Sequence, residues 1–234
     1  MKILLTGSSG FIGYHVGLKL LEKGHEVVGV DNHNDYYDVA LKEKRNKMLK
    51  HKNFIFLKQD LNDMVTEQSN FDFAINLAAQ AGVRVEKSKE YLYEHSNIDG
   101  FKSFCNFCLT KNIKKIIYAS SSSVYKDSGK KIFNECSSRL APKSNYGLSK
   151  LANESYASEL AKKTDISIVG LRFFSVYGPW GRPDMAYFLF ANQLKNNKKI
   201  TLNNNGSMLR DMTYINDIVE GVYKTILFMS GQKQ

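Results

Sequence analysis

Thr6-Gly7-Ser8-Ser9-Gly10-Phe11-Ile12-Gly13 is the stretch that decides the fold of this 234-residue chain. It follows a short apolar run, Lys2–Thr6, and leads directly into an amphipathic run, Phe11–Lys23. The sequence therefore predicts a strand, a tight turn and a helix in immediate succession. The glycine spacing is Gly-x-x-Gly-x-x-Gly instead of the commoner Gly-x-Gly-x-x-Gly, but the strand and the helix that give such a motif its meaning are both present.

Glycines in this setting let the backbone approach a diphosphate closely, and the positive end of the helix dipole stabilises that anion. The turn thus predicts a dinucleotide site. The alternative is a glycine turn that serves only close packing of helix against strand. The residues predicted to contact the cofactor here are Gly7, Gly10, Phe11, Ile12 and Gly13.

The second predicted strand ends in an acidic residue. Asp31 stands 18 residues after Gly13, where a carboxylate accepts hydrogen bonds from the adenosine ribose and repels a 2′-phosphate. This position favours NAD over NADP, although a solvated residue at a strand end would give the same pattern. The further predicted cofactor contacts are Asn32, Asp60, Leu61, Leu77, Ala78 and Ala79.

Short apolar runs alternate with longer amphipathic ones along the chain. The predicted strands are Lys2–Thr6, His25–Asp31, Phe54–Lys58, Phe73–Leu77, Lys115–Ser120 and Ile166–Arg172. The predicted helices are Phe11–Lys23, Val39–Leu49, Tyr91–Lys111, Asn145–Lys163 and Ile215–Met229. Strict alternation predicts an α/β fold with a doubly wound parallel (Rossmann) sheet, whose ligands bind at the carboxyl ends of the strands.

The alternation loosens after Arg172, where Pro179, Gly181 and Pro183 interrupt the pattern. We therefore predict a dinucleotide-binding domain with the catalytic residues over 1–172. The residues 173–234 are predicted to form part of a smaller, substrate-binding region.

Composition narrows the class of protein. With 43% hydrophobic residues the chain is able to bury a core, which excludes a disordered or fibrous protein. No apolar run approaches the roughly 20 residues that span a bilayer, and the run after Met1 ends too soon for a signal peptide. These features predict a soluble, cytoplasmic protein with no membrane contact.

The cysteines and the lysines indicate no metal and no nucleic acid. Cys105 and Cys108 lie within one predicted helix, and a second pair of ligands is missing, so we expect reduced thiols instead of a disulfide or a zinc site. The net charge is +10, but the lysines of Lys42–Lys52, Lys111–Lys115 and Lys195–Lys199 are scattered. We expect them on solvated helix faces and loop ends, which argues against a nucleic-acid interface.

A serine run and a later Tyr-x-x-x-Lys form the predicted catalytic set. Ser121 follows the fifth strand, while Tyr146 and Lys150 are four residues apart on a predicted helix and therefore share one face. A lysine ammonium and a positive nicotinamide both favour phenolate and so lower the pKa of a tyrosine toward that of a general base. The same spacing also occurs by chance on ordinary amphipathic helices.

Taken together in this order, these motifs resemble the extended short-chain dehydrogenases/reductases, and in particular the UDP-glucuronate 4-epimerases. The resemblance covers essentially the whole chain. Besides the motifs above, it is carried by Asp31–Asp38, Ala79–Arg84, Phe173–Asp184 and Arg210–Ile215.

The resemblance implies NAD as cofactor, a UDP-sugar as substrate and a homodimer formed by the helices Tyr91–Lys111 and Asn145–Lys163. It makes Tyr146 the base, Lys150 its partner and a ribose ligand, and Ser121 the hydroxyl relay. The residues that it implies for substrate binding are Arg84 and Arg210 near the diphosphate, and Ser122, Ser175 and Arg182 around the sugar carboxylate. Each arginine alone would also fit a surface charge.

The implied reaction is 4-epimerisation of a UDP-sugar by transient oxidation of carbon 4. The substrate that the resemblance favours is UDP-glucuronate, which would be converted to UDP-galacturonate. Related dehydratases and decarboxylases usually carry an acid just before the Val-Tyr pair, where this chain has Ser123. The alternatives are an epimerase of UDP-glucose or UDP-N-acetylglucosamine, a decarboxylase or dehydratase, and a non-enzymatic module that senses NAD.

Two departures from the family pattern are present. Lys126 stands where the family usually has glycine, so we expect a different loop there. The family also continues past Gln234 with segments that complete the uridine pocket, so we expect a truncated substrate region.

Overall fold

The computed structural model describes residues 1–83, 85–126, 132–136, 139–207 and 209–232. Its centre is a sheet of six parallel strands in the order β3-β2-β1-β4-β5-β6. The strands are β1 Lys2–Thr6, β2 Glu26–Val30, β3 Phe54–Leu57, β4 Phe73–Asn76, β5 Lys115–Ser121 and β6 Ser167–Phe173. The predicted doubly wound fold is confirmed, and each predicted strand is present with ends within two residues of its predicted ends.

The strand order reverses between β1 and β4, which are neighbours in the sheet but not in sequence. In a doubly wound sheet this switch point opens a crevice at the carboxyl ends of the strands. The described helices longer than one turn are α1 Phe11–Glu22, α2 Val39–Met48, α3 Gly100–Thr110, α4 Asn145–Lys163, α5 Ala186–Lys195 and α6 Ile215–Met229, with a π-helical segment at Tyr93–Asp99.

Both faces of the sheet are covered, which is why the central strands consist almost entirely of buried apolar residues. On one face α1 and α6 pack together, and Ile3, Leu5 and Ile75 share a core with Ile215 and Val222. On the other face Leu4 and Ala74 meet the apolar sides of α3 and α4. Cys105 and Cys108 are buried in that second core as free thiols.

Residues after 172 form further regular structure that the sequence pattern did not predict. A short pair of parallel strands, β7 Ser175–Tyr177 and β8 Met212–Tyr214, flanks α5. Val176 and α6 belong to the same core as β1, so this part of the chain packs directly on the sheet. The division into domains at residue 172 stays a prediction.

The predicted helix Tyr91–Lys111 is divided in the structure, because Tyr93–Asp99 is π-helical and α3 begins only at Gly100. Asn97 lies in the π-helical turn and is 1% exposed. Its amide oxygen accepts from the Gln80 backbone N–H at 2.7 Å, and its amide nitrogen donates to Ser149 Oγ at 2.9 Å. The Asn97 side chain points inward and forms hydrogen bonds with the backbone of the loop after β4. The periodicity of the apolar residues does not predict this contact.

In the part of the chain that the structure describes, none of the helices has the length and apolarity needed to cross a membrane.

Replacing Phe104 by alanine should lower the free energy of unfolding by about 3–5 kcal/mol, because its side chain is fully buried between α3 and the sheet. The matched control is Phe228→Ala, since Phe228 is 77% exposed on α6 and should change stability by about 0.5 kcal/mol or less. Urea denaturation of both variants measures the difference. Equal losses would contradict the packing described for α3.

Candidate functional site

A cleft of about 810 Å³ opens at the carboxyl ends of the strands. It lies at the switch point between β1 and β4, where the fold predicts ligand binding. The predicted site residues that line it are Gly7, Gly10, Phe11, Ile12, Gly13, Asp31, Asn32, Asp60, Leu61, Leu77, Ala78, Ala79, Ser121, Ser122, Tyr146, Lys150, Ser175, Arg182 and Arg210. Arg84 lies outside the described residues, so its predicted role stays a prediction.

The glycine turn is built on backbone contacts that exclude a side chain. Gly7 has φ +70°, and a Cβ there would lie 2.6 Å from the Ala78 backbone nitrogen. A Cβ at Gly13 would lie 2.0 Å from the Gly7 carbonyl oxygen. The α1 helix begins after Gly10 with no side-chain cap and no acidic residue in its first turn. Its first N–H groups are therefore left for an anion, and the turn fits a dinucleotide diphosphate.

Asp31 is held at the mouth of this turn. Its carboxylate accepts from the Ser9 backbone N–H at 3.1 Å and from the His33 backbone N–H at 2.9 Å. The His33 ring is hydrogen-bonded to Ser9 Oγ at 2.8 Å and stacks on Phe56. These contacts fix the carboxylate beside the cleft, in the place expected for a ribose ligand.

Asn32 and Asp60 meet at the next strand end. The Asn32 side-chain amide donates to Asp60 Oδ2 at 2.8 Å. Burial raises the pKa of Asp60, but hydrogen bonds from the backbone of Asn62 and from Asn32 more than offset it and hold that pKa below its usual range. Asp60 is therefore an ionised hydrogen-bond acceptor at neutral pH.

The predicted catalytic residues come together at the other end of the cleft. Tyr146 and Lys150 lie one turn apart on α4, and the Lys150 ammonium is 5.9 Å from the centre of the Tyr146 ring. Lys150 also donates to the Ala119 carbonyl oxygen at 2.9 Å, which ties α4 to β5. Ser121 ends β5, and its hydroxyl oxygen accepts from the Ser123 backbone N–H at 3.1 Å.

Burial and charge oppose each other at this group of residues. Burial raises the pKa of Tyr146, while the Arg182 charge and a hydrogen bond with Ser121 lower it. Burial lowers the pKa of Lys150 to about 8. The site thus contains a phenol that needs a nearby cation to ionise, and Arg182 supplies such a cation.

Arg182 makes a two-pronged ion pair inside the cleft. Its Nε donates to Asp184 Oδ1 at 3.0 Å and its Nη2 to Asp184 Oδ2 at 2.9 Å. The Tyr36 hydroxyl donates to the same carboxylate at 3.2 Å from the opposite wall. Burial, followed by the charge of Asp184, raises the pKa of Tyr36 to about 12. Arg210, by contrast, is exposed and donates only to the neighbouring Leu209 carbonyl among the described residues.

The expectation that Lys42–Lys52 forms a solvated helix face is wrong at the start of α2. Lys42 is 4% exposed and donates to the Asn34 backbone and side-chain oxygens, both at 2.6 Å. Arg45 is fully buried. Residues 42–47 of α2 are all charged or polar. The sequence pattern therefore does not show that these two charges face inward, and only the loops that fold over α2 reveal it.

Arg45 joins the glycine turn to the loop before Arg182. Its Nη1 donates to the Ser9 carbonyl at 3.1 Å and to the Tyr37 hydroxyl at 2.6 Å, and its Nη2 to the Trp180 carbonyl at 2.6 Å. Sequence reasoning missed this residue. The only signal was its place shortly after the Asp31–Asp38 segment that carries the resemblance.

Comparison with known proteins assigns the chain to a family. The model of the NAD dependent epimerase/dehydratase family matches residues 3–233. Protein CapI of Staphylococcus aureus is 44% identical over 232 residues, which cover 97% of this chain and 69% of that protein. UDP-glucuronate 4-epimerase 2 of Arabidopsis thaliana is 42% identical over 230 residues, with 94% of this chain and 53% of that protein covered. The chain thus spans about half the length of this plant relative.

A solved structure matches closely as well. The UDP-glucuronic acid 4-epimerase from Bacillus cereus, in complex with UDP-glucuronic acid and NAD, superposes with a TM-score of 0.88 at 33% identity and covers 97% of this chain and 73% of its own. These matches confirm the predicted family, the resemblance to UDP-glucuronate 4-epimerases, NAD as cofactor and the prediction of an NAD-dependent enzyme of the nucleotide-sugar epimerase type. The chain belongs to the NAD-dependent epimerase/dehydratase family.

Proposed function

We propose that this chain carries out the 4-epimerisation of UDP-glucuronate to UDP-galacturonate. The observation that carries the proposal is the Arg182 guanidinium, which lies in the cleft close enough to Tyr146 to lower the pKa of that residue. A sugar whose carbon 4 faces Tyr146 would therefore have a cation at hand for a carboxylate on carbon 5. The similarity to UDP-glucuronate 4-epimerases supports the same sugar.

The residues of the glycine turn would hold the NAD diphosphate, Asp31 the adenosine ribose and Lys150 the ribose next to the nicotinamide. When bound, NAD supplies the acceptor and the donor of a hydride at carbon 4, so that oxidation and re-reduction on opposite faces invert that carbon. Because the hydride returns to the sugar, the cofactor is not consumed, and an enclosed site suits the reaction.

Tyr146 would accept the proton of the C4 hydroxyl, with Ser121 as the relay, and return it after the sugar has turned. The Ser121 hydroxyl is oriented by the Ser123 backbone N–H, and the charge of Arg182 favours the phenolate form of Tyr146. A module that only senses NAD needs none of these groups, and their juxtaposition supports an enzyme instead.

Epimerisation is preferred to elimination or decarboxylation because, among the residues that the structure describes, none of the acids lies beside Ser121. Ser123 occupies the position that carries an acid in related dehydratases, and the described acidic residues of the cleft are Asp31, Asp60 and Asp184. The first two lie at the cofactor end, and Asp184 is bound to Arg182. One observation favours an uncharged sugar as the second candidate: Arg182 already has a carboxylate partner.

A homodimer is proposed through α4 and the helical segment beside it. Tyr91, two residues before the π-helical segment, is 65% exposed, and Leu148 on α4 is 52% exposed, which gives this surface apolar area for a partner. A cytoplasmic location stays a prediction.

The substrate is tested by incubating the NAD-loaded protein with UDP-glucuronate, UDP-glucose and UDP-N-acetylglucosamine and separating the products. Tyr146→Phe should reduce turnover of the active substrate by about 100-fold or more, since the proton acceptor is lost while the ring remains. NAD should stay bound. Tyr91→Phe removes the same hydroxyl from an exposed residue and serves as control. A Tyr146→Phe protein with nearly the original rate would refute the mechanism.

Gly13→Ala should abolish NAD binding, because the added methyl would meet the Gly7 carbonyl at 2.0 Å and open the turn. Gly221→Ala is the matched control, since nothing lies within 4 Å of a Cβ at that position on α6. Fluorescence titration with NADH compares the two variants. Wild-type affinity in Gly13→Ala would exclude the turn as the diphosphate site.

Lys150→Met should stabilise the cofactor-free protein at pH 7 by up to about 3 kcal/mol, because folding then no longer depresses the pKa of a buried ammonium. In the wild-type protein the unfolded state binds more protons than the folded state between about pH 8 and 10.5, so its stability should rise over that range. The advantage of the variant should therefore shrink toward pH 10.

Urea denaturation at pH 7 and pH 10 measures this change. The same exchange at Lys162, which is exposed on α4, should show no comparable dependence on pH. A constant difference between wild type and Lys150→Met at both pH values would contradict the burial of the ammonium.

A further inference from the structure

Arg182, which we assign to the sugar carboxylate, is already paired with a carboxylate of the chain itself, that of Asp184. Arg182 holds Asp184 through Nε and Nη2 at 3.0 and 2.9 Å. This parallel, two-pronged geometry is the one by which arginine recognises carboxylate ligands. The two side chains are only 22% and 30% exposed, so the pair is partly shielded from water and from salt.

Asp184 is also held from the opposite wall of the cleft. Tyr36 belongs to the segment between β2 and α2, and its hydroxyl donates to Asp184 Oδ2 at 3.2 Å. The Tyr36 oxygen lies so close to Gly82 that a Cβ there would be 2.4 Å away. Two segments distant in sequence thus hold one carboxylate, and a third segment, at Gly82, lies against the Tyr36 oxygen.

A ligand carboxylate and Asp184 would compete at this point. Two carboxylates near one guanidinium repel each other, and the charge of Arg182 is then divided between them. An uncharged sugar leaves the Arg182–Asp184 pair intact, whereas an acidic sugar must share Arg182 with Asp184 or displace it. The pair therefore penalises acidic ligands and has little effect on neutral ones.

We propose that Asp184 is a specificity-determining residue, an internal carboxylate that competes with the sugar carboxylate for Arg182 and sets the preference between acidic and uncharged UDP-sugars. This inference rests on the proposed function, since it takes the sugar to lie beside Arg182. Asp184, together with the Tyr36 hydroxyl that holds it, then determines the ratio of the affinities for acidic and uncharged UDP-sugars.

The test uses the NAD-loaded protein and calorimetric titration with UDP-glucuronate, UDP-glucose and UDP. Asp184→Asn keeps the size of the side chain and one acceptor oxygen but removes the charge. It should improve the affinity for UDP-glucuronate relative to UDP-glucose by about tenfold, the scale of one close charge pair at a partly exposed site. The affinity for UDP should stay within about twofold.

Two further variants keep the result interpretable. Tyr36→Phe removes the hydroxyl that retains Asp184, so it should shift the same ratio in the same direction by a smaller factor. Asp165→Asn changes the net charge equally at a residue whose side chain is 71% exposed, and it should leave the ratio unchanged. If Asp184→Asn fails to bind NAD, the Tyr36→Phe result alone decides the proposal.

An unchanged or lower ratio in a folded Asp184→Asn protein would overturn the role of Asp184. In that case, if the wild-type protein binds both UDP-glucuronate and UDP-glucose, the proposed function is not contradicted. A wild-type protein that binds NAD but none of the three UDP ligands would instead overturn the proposed function, and this inference with it.

Discussion

The close backbone contact at the end of β1 is the constraint on which the rest of the structure depends. Gly7 lies against the backbone of Ala78, and Gly13 lies against the carbonyl of Gly7. These contacts bring the ends of β1 and β4 and the start of α1 together at the point where the strand order reverses. The cleft opens there because no side chain fills it, so the same glycines determine both the packing and the ligand site.

Arg45 extends this constraint to the other wall of the cleft. Its buried guanidinium binds backbone carbonyls of the glycine turn and of the loop at Trp180 and Gly181. Burying a charge costs free energy unless strong hydrogen bonds replace its hydration. Three hydrogen bonds to these carbonyls and one to the Tyr37 hydroxyl offset much of that cost. The loop that carries Arg182 therefore has a fixed position relative to the glycine turn.

The same logic governs the catalytic end. Burial raises the pKa of Tyr146 and lowers that of Lys150, so neither charged form is favoured by the protein interior alone. The Ala119 carbonyl stabilises the Lys150 ammonium, and Arg182 favours the Tyr146 phenolate. A site of this kind lowers the stability of the empty protein, and the benefit appears when the cleft is filled.

The sequence by itself determined the parallel sheet, its alternation with helices, the glycine turn, Asp31 and the shared face of Tyr146 and Lys150. All of these depend on turn chemistry, burial period or spacing within about 30 residues. Tertiary structure alone decided what the polar side chains meet: the burial of Arg45, the π-helical turn around Asn97, and the contact of Tyr36 with Asp184 across 148 residues. Local sequence patterns indicate which face of an element is apolar. The partner of a buried polar group depends instead on which distant segment folds over it, and the periodicity of the sequence does not indicate that segment.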